Sequence, residues 1–184
     1  MEKSEAMTRN PEHLHSVVRE LLAEHQAMIS RRLGLTTTCI ETWRDAASQN
    51  THKAAGLSEK AAGSSWHNIT LPDGTPASFA YHLSIDPAGP LMIGFGTSNL
   101  HPLRCATAKV DMGRHGMKYL SSEELLYLAI GLIAEELGLV WGGRWDVAGR
   151  GPDWTHFEYR GAASPSDMAA LLALGTIINK PVIA

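Results

Sequence analysis

The stretch SSEELLYLAIGLIAEEL, from Ser121 to Leu137, restricts the possible fold more than any other segment of this sequence. Ser121 and Glu124 have the spacing of a capping box, acidic residues fill the first turn, and Gly138 stands where helices commonly end. Apolar residues occupy nearly every side of this predicted helix, which is typical of a helix that the rest of a domain covers. A chain of 184 residues, of which 44% are hydrophobic, is long enough to form such a core.

Weaker patterns predict the elements around this helix. They predict a helix over 11–33, strands over 35–43 and 77–85, a short helix around 46–49, a strand at 91–96, a strand or short helix at 104–112, a hairpin of VWGGRW (140–145) with HFEYR (156–160), and a last helix from 164. Together they predict an α+β domain, in which the long helix packs on a small antiparallel sheet. We expect His13, His15 and His25 to be exposed on the first helix.

Composition and charge exclude several classes of protein. The formal net charge is −3 and no basic stripe is present, which argues against nucleic-acid binding. The first residues, MEKSEAMTRNPEHLH, are too polar for a secretory signal, and no apolar run approaches the ~20 residues that cross a bilayer. We therefore expect a protein that is synthesised in the cytoplasm without a signal peptide and has no transmembrane segment. We also expect it to be a monomer.

Three stretches carry polar residues that could perform chemistry: WRDAASQ with Arg44 and Gln49, SSWHN with His67, and DWTH with Asp153 and His156. Taken singly, each has an ordinary interpretation. Arg44 could form a surface ion pair, His67 could be a loop histidine, and Asp153 could cap a turn.

In this order the stretches resemble the zinc D-Ala-D-Ala carboxypeptidase superfamily, and within it the L-alanyl-D-glutamate endopeptidases found as phage endolysins and bacterial wall-cleaving enzymes. The resemblance runs from about Gly34 to Tyr159. Its motifs here are an arginine and a glutamine after the first strand (Arg44, Gln49), Ser-x-His (Ser65-Trp66-His67), Trp-Gly-Gly (Trp141-Gly142-Gly143) and Asp-x-x-His (Asp153 to His156).

The resemblance implies a Zn²⁺ cofactor with His67 and His156 among its ligands. A catalytic zinc takes three protein ligands and keeps one position for water, which then loses its proton near neutral pH. The resemblance also implies that Asp153 is the general base and that Arg44 binds the substrate carbonyl or the oxyanion. Gln49 and Trp141 are implied as substrate-binding residues.

The second zinc ligand is where the sequence departs from the family, whose motif is Gly-x-Ala-x-Asp. Aligning SFAYH (78–82) with that motif places His82 at the aspartate position, and a shift of four residues places Asp86 there. Both side chains would lie on one face of a strand, so alternation does not separate them. His82 is favoured as the aligned residue, because a three-histidine zinc site is chemically ordinary. Asp111 is a third candidate, in a poorly matching context.

The resemblance divides the chain into an N-terminal helical segment (1–33), a zinc peptidase domain (34–160) and a C-terminal helix and tail (161–184). It implies hydrolysis of a peptide bond in the peptidoglycan stem peptide, after release or export of the enzyme to the cell wall. Two alternatives stay open. One is a degenerate domain that binds wall peptide, or a purely structural zinc, without cleavage, and the other is a D,D-carboxypeptidase or dipeptidase.

Overall fold

The computed structural model describes residues 8–86, 107–111, 117–145 and 151–181, and these residues form an α+β fold. The helices are α1 (Ser16–Leu33), α2 (Ala46–Ala54), α3 (Ser122–Glu136) and α4 (Pro165–Ala173). The strands are β1 (Thr37–Glu41), β2 (Ala80–Ile85), β3 (Thr107–Asp111), β4 (Met117–Ser121), β5 (Val140–Trp141) and β6 (His156–Glu158). Short 3₁₀ turns lie at Pro11–His13, Trp66–Asn68 and Gly142–Arg144. The predicted α+β class is confirmed.

The main sheet is antiparallel, with the strand order β1-β2-β6-β5, and β3 and β4 form a separate two-stranded ribbon. The register of the main sheet places His82 of β2 directly opposite His156 of β6, and Glu41 of β1 opposite His82. Residues that face each other across neighbouring antiparallel strands project from the same side of the sheet. The middle of this sheet therefore brings together side chains that are far apart in the sequence.

The core lies between the sheet and the helices α1, α3 and α4. Its members are mainly aliphatic and aromatic side chains, among them Val18, Leu21, Leu22, Ile29, Phe79, Tyr81, Leu83, Ile130, Trp141, Phe157 and Met168. Each large side chain buried in this way stabilises the fold by about 1.5–3 kcal/mol. A Cβ added at Gly131 would overlap the indole of Trp141, so the glycine lets α3 lie directly on β5. Among the described helices, none is long and apolar enough to cross a membrane.

The predicted element boundaries are partly confirmed. The capping box of α3 is present, since the Ser121 hydroxyl accepts a hydrogen bond from the Glu124 amide and the Glu124 carboxylate accepts one from the Ser121 amide. The first helix begins at Ser16 rather than Pro11, because a separate 3₁₀ turn precedes it. Of the two options for 104–112, the described part, 107–111, is a strand. The strand predicted at 91–96 lies outside the described residues.

The prediction that His13, His15 and His25 are exposed is wrong. His25 is fully buried, and its Nε2 donates to the Ile130 carbonyl at 3.0 Å while its Nδ1 accepts from the Tyr81 hydroxyl at 3.0 Å. Burial lowers the pKa of His25 to about 4, so the ring is neutral. His15 is half-buried and stacks on Phe79, and His13 is half-buried beside Thr8. A neutral imidazole with both nitrogens paired can replace an apolar residue in a core.

Candidate metal centre

Three histidines from separate parts of the chain meet beside the two central strands of the sheet. His82 and His156 lie opposite each other on β2 and β6, and His67 comes from the 3₁₀ turn over Trp66–Asn68. Backbone hydrogen bonds hold that turn in place. The Phe79 amide donates to the Trp66 carbonyl at 2.9 Å, and the Arg44 amide donates to the His67 carbonyl at 3.1 Å. The turn is thus fixed between the ends of β1 and β2.

One nitrogen of each ring points toward a common centre. His156 Nδ1 lies 3.1 Å from His82 Nε2 and 3.4 Å from His67 Nε2. All three inner nitrogens are within 4.8 Å of one another. His67 and His156 are buried, and His82 is half-buried. This cluster of His67, His82 and His156 is called the histidine triad below.

The outer nitrogen of each ring has an oxygen partner. His67 Nδ1 lies 2.6 Å from the Thr42 carbonyl, His82 Nδ1 lies 2.9 Å from the Thr155 hydroxyl, and His156 Nε2 lies 2.9 Å from Glu158 Oε2. A carbonyl and a carboxylate can only accept, so the outer nitrogens of His67 and His156 carry the proton. The Thr155 hydroxyl donates to Asp153 Oδ1 at 3.3 Å, which leaves it free to accept from His82.

This pattern fits a bound metal ion. With the protons on the outer nitrogens, three lone pairs face each other across 3–5 Å, an arrangement that is repulsive unless a cation lies between them. Burial, reinforced by His156 nearby, lowers the pKa of His67 and of His82 well below the usual value, so both rings are neutral. Neutral imidazoles whose second nitrogen donates to an oxygen are the usual form of histidine ligands.

His82, and not Asp86, is the residue of the β2 segment that belongs to the triad. Asp86 follows the end of β2, where its amide donates to the Thr36 carbonyl at 2.8 Å. Four residues of strand span roughly 13 Å, at ~3.3 Å per residue, so the two side chains cannot serve one ion without a shift in register. The side chain of Asp111 lies outside the described part of the chain.

Three carboxylates lie beside the triad, those of Asp153, Glu158 and Glu41, and Glu41 Oε1 is 3.8 Å from His67 Nδ1. The Asp153 side chain is 40% exposed, and its Oδ1 lies 3.9 Å from His82 Nδ1. Glu158 is buried and contacts both His156 and Arg160. Burial alone raises the pKa of Glu158, but the hydrogen bond from His156 and the charge of Arg160 outweigh it, and the net shift is downward. Asp153 is therefore the carboxylate that water can reach, and Glu158 is the one held against the sheet.

Arg44 and Gln49 form a buried hydrogen-bonded pair beside the triad. The Arg44 guanidinium contacts Glu41 and donates to Gln49 Oε1 at 2.8 Å, while its buried Nε has no hydrogen-bond partner among the described residues. Gln49 Nε2 donates to the Ser58 hydroxyl at 2.9 Å and to the Lys60 carbonyl at 2.7 Å.

Gln49 and Trp141 are both fully buried. Trp141 Nε1 donates to the Trp154 carbonyl at 2.9 Å, which ties β5 to the segment that precedes β6. The two side chains support the walls of the site in this structure, and their contact with a substrate stays a prediction. Arg144 makes a two-pronged ion pair with Glu135 of α3, with both N–O distances at 2.9 Å.

A cleft of about 790 Å³ opens onto the triad. Its lining includes Arg44, Lys60, Trp145, Asp153, Arg160 and the three histidines. The indole of Trp145 lies against the ring of His156, with the ring centres 4.7 Å apart. Clefts of this size accommodate small molecules or a few residues of a peptide. The triad is thus accessible from one side and enclosed by protein on the others.

No protein-family model matches this sequence, and no curated protein matches it with statistical significance. The functional argument therefore depends on the geometry of the site and on the motifs. The sequence reasoning missed the partners of the outer nitrogens, Thr42, Thr155 and Glu158. One signal was available for Glu158, because residues two apart on a strand share a face and Glu158 follows His156 by two.

Proposed function

We propose that this protein is a zinc-dependent peptidase that hydrolyses a peptide bond in the stem peptide of peptidoglycan. The observation that carries the proposal is the convergence of three histidine ring nitrogens beside a water-accessible carboxylate in a cleft. The motif resemblance to L-alanyl-D-glutamate endopeptidases supports the substrate class. In this proposal residues 34–160 carry the activity, and the enzyme reaches the wall after release or export.

His67, His82 and His156 would hold the metal. Three neutral imidazoles suit zinc, and a site with three protein ligands on one side leaves room for substrate and water on the other. When bound, zinc would supply Lewis-acid activation of a water molecule and of the substrate carbonyl.

Asp153 is the proposed general base. Its carboxylate lies at the cleft, next to the triad, and Thr155 fixes its position by donating to Oδ1. Asp153 can accept a proton as water attacks the carbonyl carbon, and can then deliver that proton to the amine that leaves when the C–N bond breaks. The products are one carboxylate and one new amino group for each bond hydrolysed.

Arg44 is the proposed electrophilic helper. Glu41 and Gln49 hold its guanidinium in one orientation, and its Nε retains a donor that no described residue uses. A buried donor of this kind costs free energy until an oxygen binds to it. The substrate carbonyl oxygen, which gains negative charge during attack, would meet that need more strongly in the transition state than in the ground state.

Digestion of purified stem peptides tests the proposal. Wild type should release one new amino group per cleaved bond, and Asp153→Asn should be slower by about 10²–10⁴-fold with unchanged zinc content. Equal rates for the two proteins would remove Asp153 from the mechanism. Binding to sacculi without release of amino groups would favour the non-catalytic domain. Release of only the terminal residue would favour a D,D-carboxypeptidase.

A further inference from the structure

We infer that Glu158 is a positioning residue of the metal centre, which fixes the ring of His156 and supplies the negative charge that three neutral histidines lack. The inference rests on the proposed metal site, but it concerns a residue outside the ligand set. It assigns Glu158 a role in metal affinity, which can be measured without any assay of peptide cleavage.

Strand β6 places the Glu158 carboxylate against the ring of His156. Glu158 follows His156 by two residues, so the strand directs both side chains to one face. Pairing with Ala80 on one side and Val140 on the other holds Glu158 at the centre of the sheet. Its Oε2 accepts from His156 Nε2 at 2.9 Å, which keeps the proton on Nε2 and leaves the Nδ1 lone pair directed at the other two histidines.

The second support is the net charge of a metal-loaded triad. A divalent ion held by three neutral rings leaves two positive charges in a buried site, which is costly without a compensating anion. The Glu158 side chain is 4% exposed and touches a ring of the triad. Glu41, another buried carboxylate nearby, is 3.8 Å from His67 Nδ1, but the buried guanidinium of Arg44 neutralises its charge. Glu158 is therefore the carboxylate best placed to stabilise the bound ion through His156.

Arg160 modulates this effect. Its guanidinium donates to Glu158 Oε1, on the side away from His156, and its side chain is 48% exposed. The positive charge of Arg160, which solvent partly screens, thus offsets part of the negative charge of Glu158. Loss of the arginine should leave more of that charge available to His156. The two residues are consequently expected to affect metal affinity in opposite directions.

The test is the zinc affinity of the full chain, measured by competition with a chromophoric chelator at fixed pH. Glu158→Gln keeps the shape and an acceptor oxygen but removes the charge, and it should weaken zinc binding by about 10-fold, with Glu158→Ala nearer 100-fold. Arg160→Gln should bind zinc at least as tightly as wild type. Glu136→Gln, which removes a carboxylate from an exposed ion pair with Arg32, is the matched control and should change nothing.

Two further readouts separate positioning from a merely structural role. Thermal unfolding of the metal-free variants should place Glu158→Gln close to wild type, and its Co²⁺-loaded form should show shifted visible bands. Zinc affinities of Glu158→Gln and Glu158→Ala within twofold of wild type would overturn the inference and leave the proposed peptidase intact. If Glu158→Ala fails to fold, Glu158→Gln and Arg160→Gln decide the matter. A wild-type chain that binds no zinc would overturn the proposed function itself.

Discussion

The core histidine His25 and the histidine triad differ in how many nitrogens of each ring have an oxygen partner. His25 in the core has a protein partner on each ring nitrogen, the Tyr81 hydroxyl on one and the Ile130 carbonyl on the other. Each histidine of the triad has an oxygen partner only on its outer nitrogen. The inner nitrogens face one another instead. Burial is common to both sites, so burial does not mark a candidate ligand, whereas an unshared lone pair directed at two others does.

This comparison predicts that the two sites respond oppositely to substitution. Loss of a triad ring should remove metal binding, while loss of His25 should weaken the fold and leave metal binding in place. The predictions that follow test this contrast in order of decreasing expected effect.

The largest effect should come from His67→Ala, which removes one of the three converging nitrogens. We expect zinc affinity to fall by more than ~100-fold, beyond the range typical of residues that only support a ligand. Metal content per chain, measured by mass spectrometry after purification without chelator, checks this. A chelator should lower the melting temperature of wild type but not of the variant, because only the folded wild type is stabilised by zinc. Full zinc occupancy in His67→Ala would show that the triad is not the site.

His25→Leu should destabilise the fold by roughly 2–4 kcal/mol, because it leaves the Tyr81 hydroxyl buried without its partner and removes the hydrogen bond that His25 donates to the Ile130 carbonyl. Zinc content should stay at the wild-type level. Denaturant unfolding of the chelator-treated protein measures the change. The double variant His25→Leu with Tyr81→Phe should recover part of the loss, since the orphaned hydroxyl is then absent. A stability equal to wild type would contradict the role given to these hydrogen bonds.

The next largest effect should be a dependence of the stability on pH that His25 causes. Its pKa in the fold is about 4, against 6.5 in the unfolded chain, so the unfolded chain binds the extra proton between these values. The stabilisation from neutral His25 is complete above pH 6.5 and is lost as the pH falls toward 4, by roughly 3 kcal/mol at ~1.4 kcal/mol per pH unit. Metal-free wild type should therefore lose more stability than His25→Leu over this window. Parallel losses in the two proteins would exclude His25 as the source.

The smallest effect should come from Thr155→Val, which leaves the outer nitrogen of His82 without its oxygen partner. Zinc binding should weaken by about tenfold, because the ring loses the contact that fixes its orientation. Thr155→Ser retains the hydroxyl and serves as the matched control. Chelator competition measures both. A valine variant that binds zinc as tightly as the serine variant would show that this outer contact is dispensable.

Much of the fold could be predicted from local patterns, since α3, α4 and the β5–β6 hairpin all have clear end signals or alternation. The exposure of His25 could not, because an amphipathic pattern assigns a polar residue to the solvent side unless its hydrogen-bond partners are known. Tyr81 and Ile130 lie 56 and 105 positions away, and no local feature indicates them.

The candidate site shows the same limit. The motifs predicted His67 and His156 as ligands. The alternation of side chains along the strand, however, did not distinguish His82 from Asp86 as the remaining ligand. The register of β2 against β6, which depends on long-range pairing, places His82 opposite His156. The supporting oxygens of Thr42 and Thr155 were beyond prediction for a similar reason, because a backbone carbonyl or a threonine hydroxyl carries no motif of its own.

The register that sets His82 against His156 has a further consequence for the folding of the chain. His67 and His156 are 89 positions apart in the sequence, and an ion shared by their rings would act as a crosslink that closes a loop of that length. Because the ion would bind the folded chain and not the unfolded one, its binding free energy would add to the stability of the fold. Loading with metal would then fasten the turn that carries His67 to strand β6, as well as prepare the cleft for substrate.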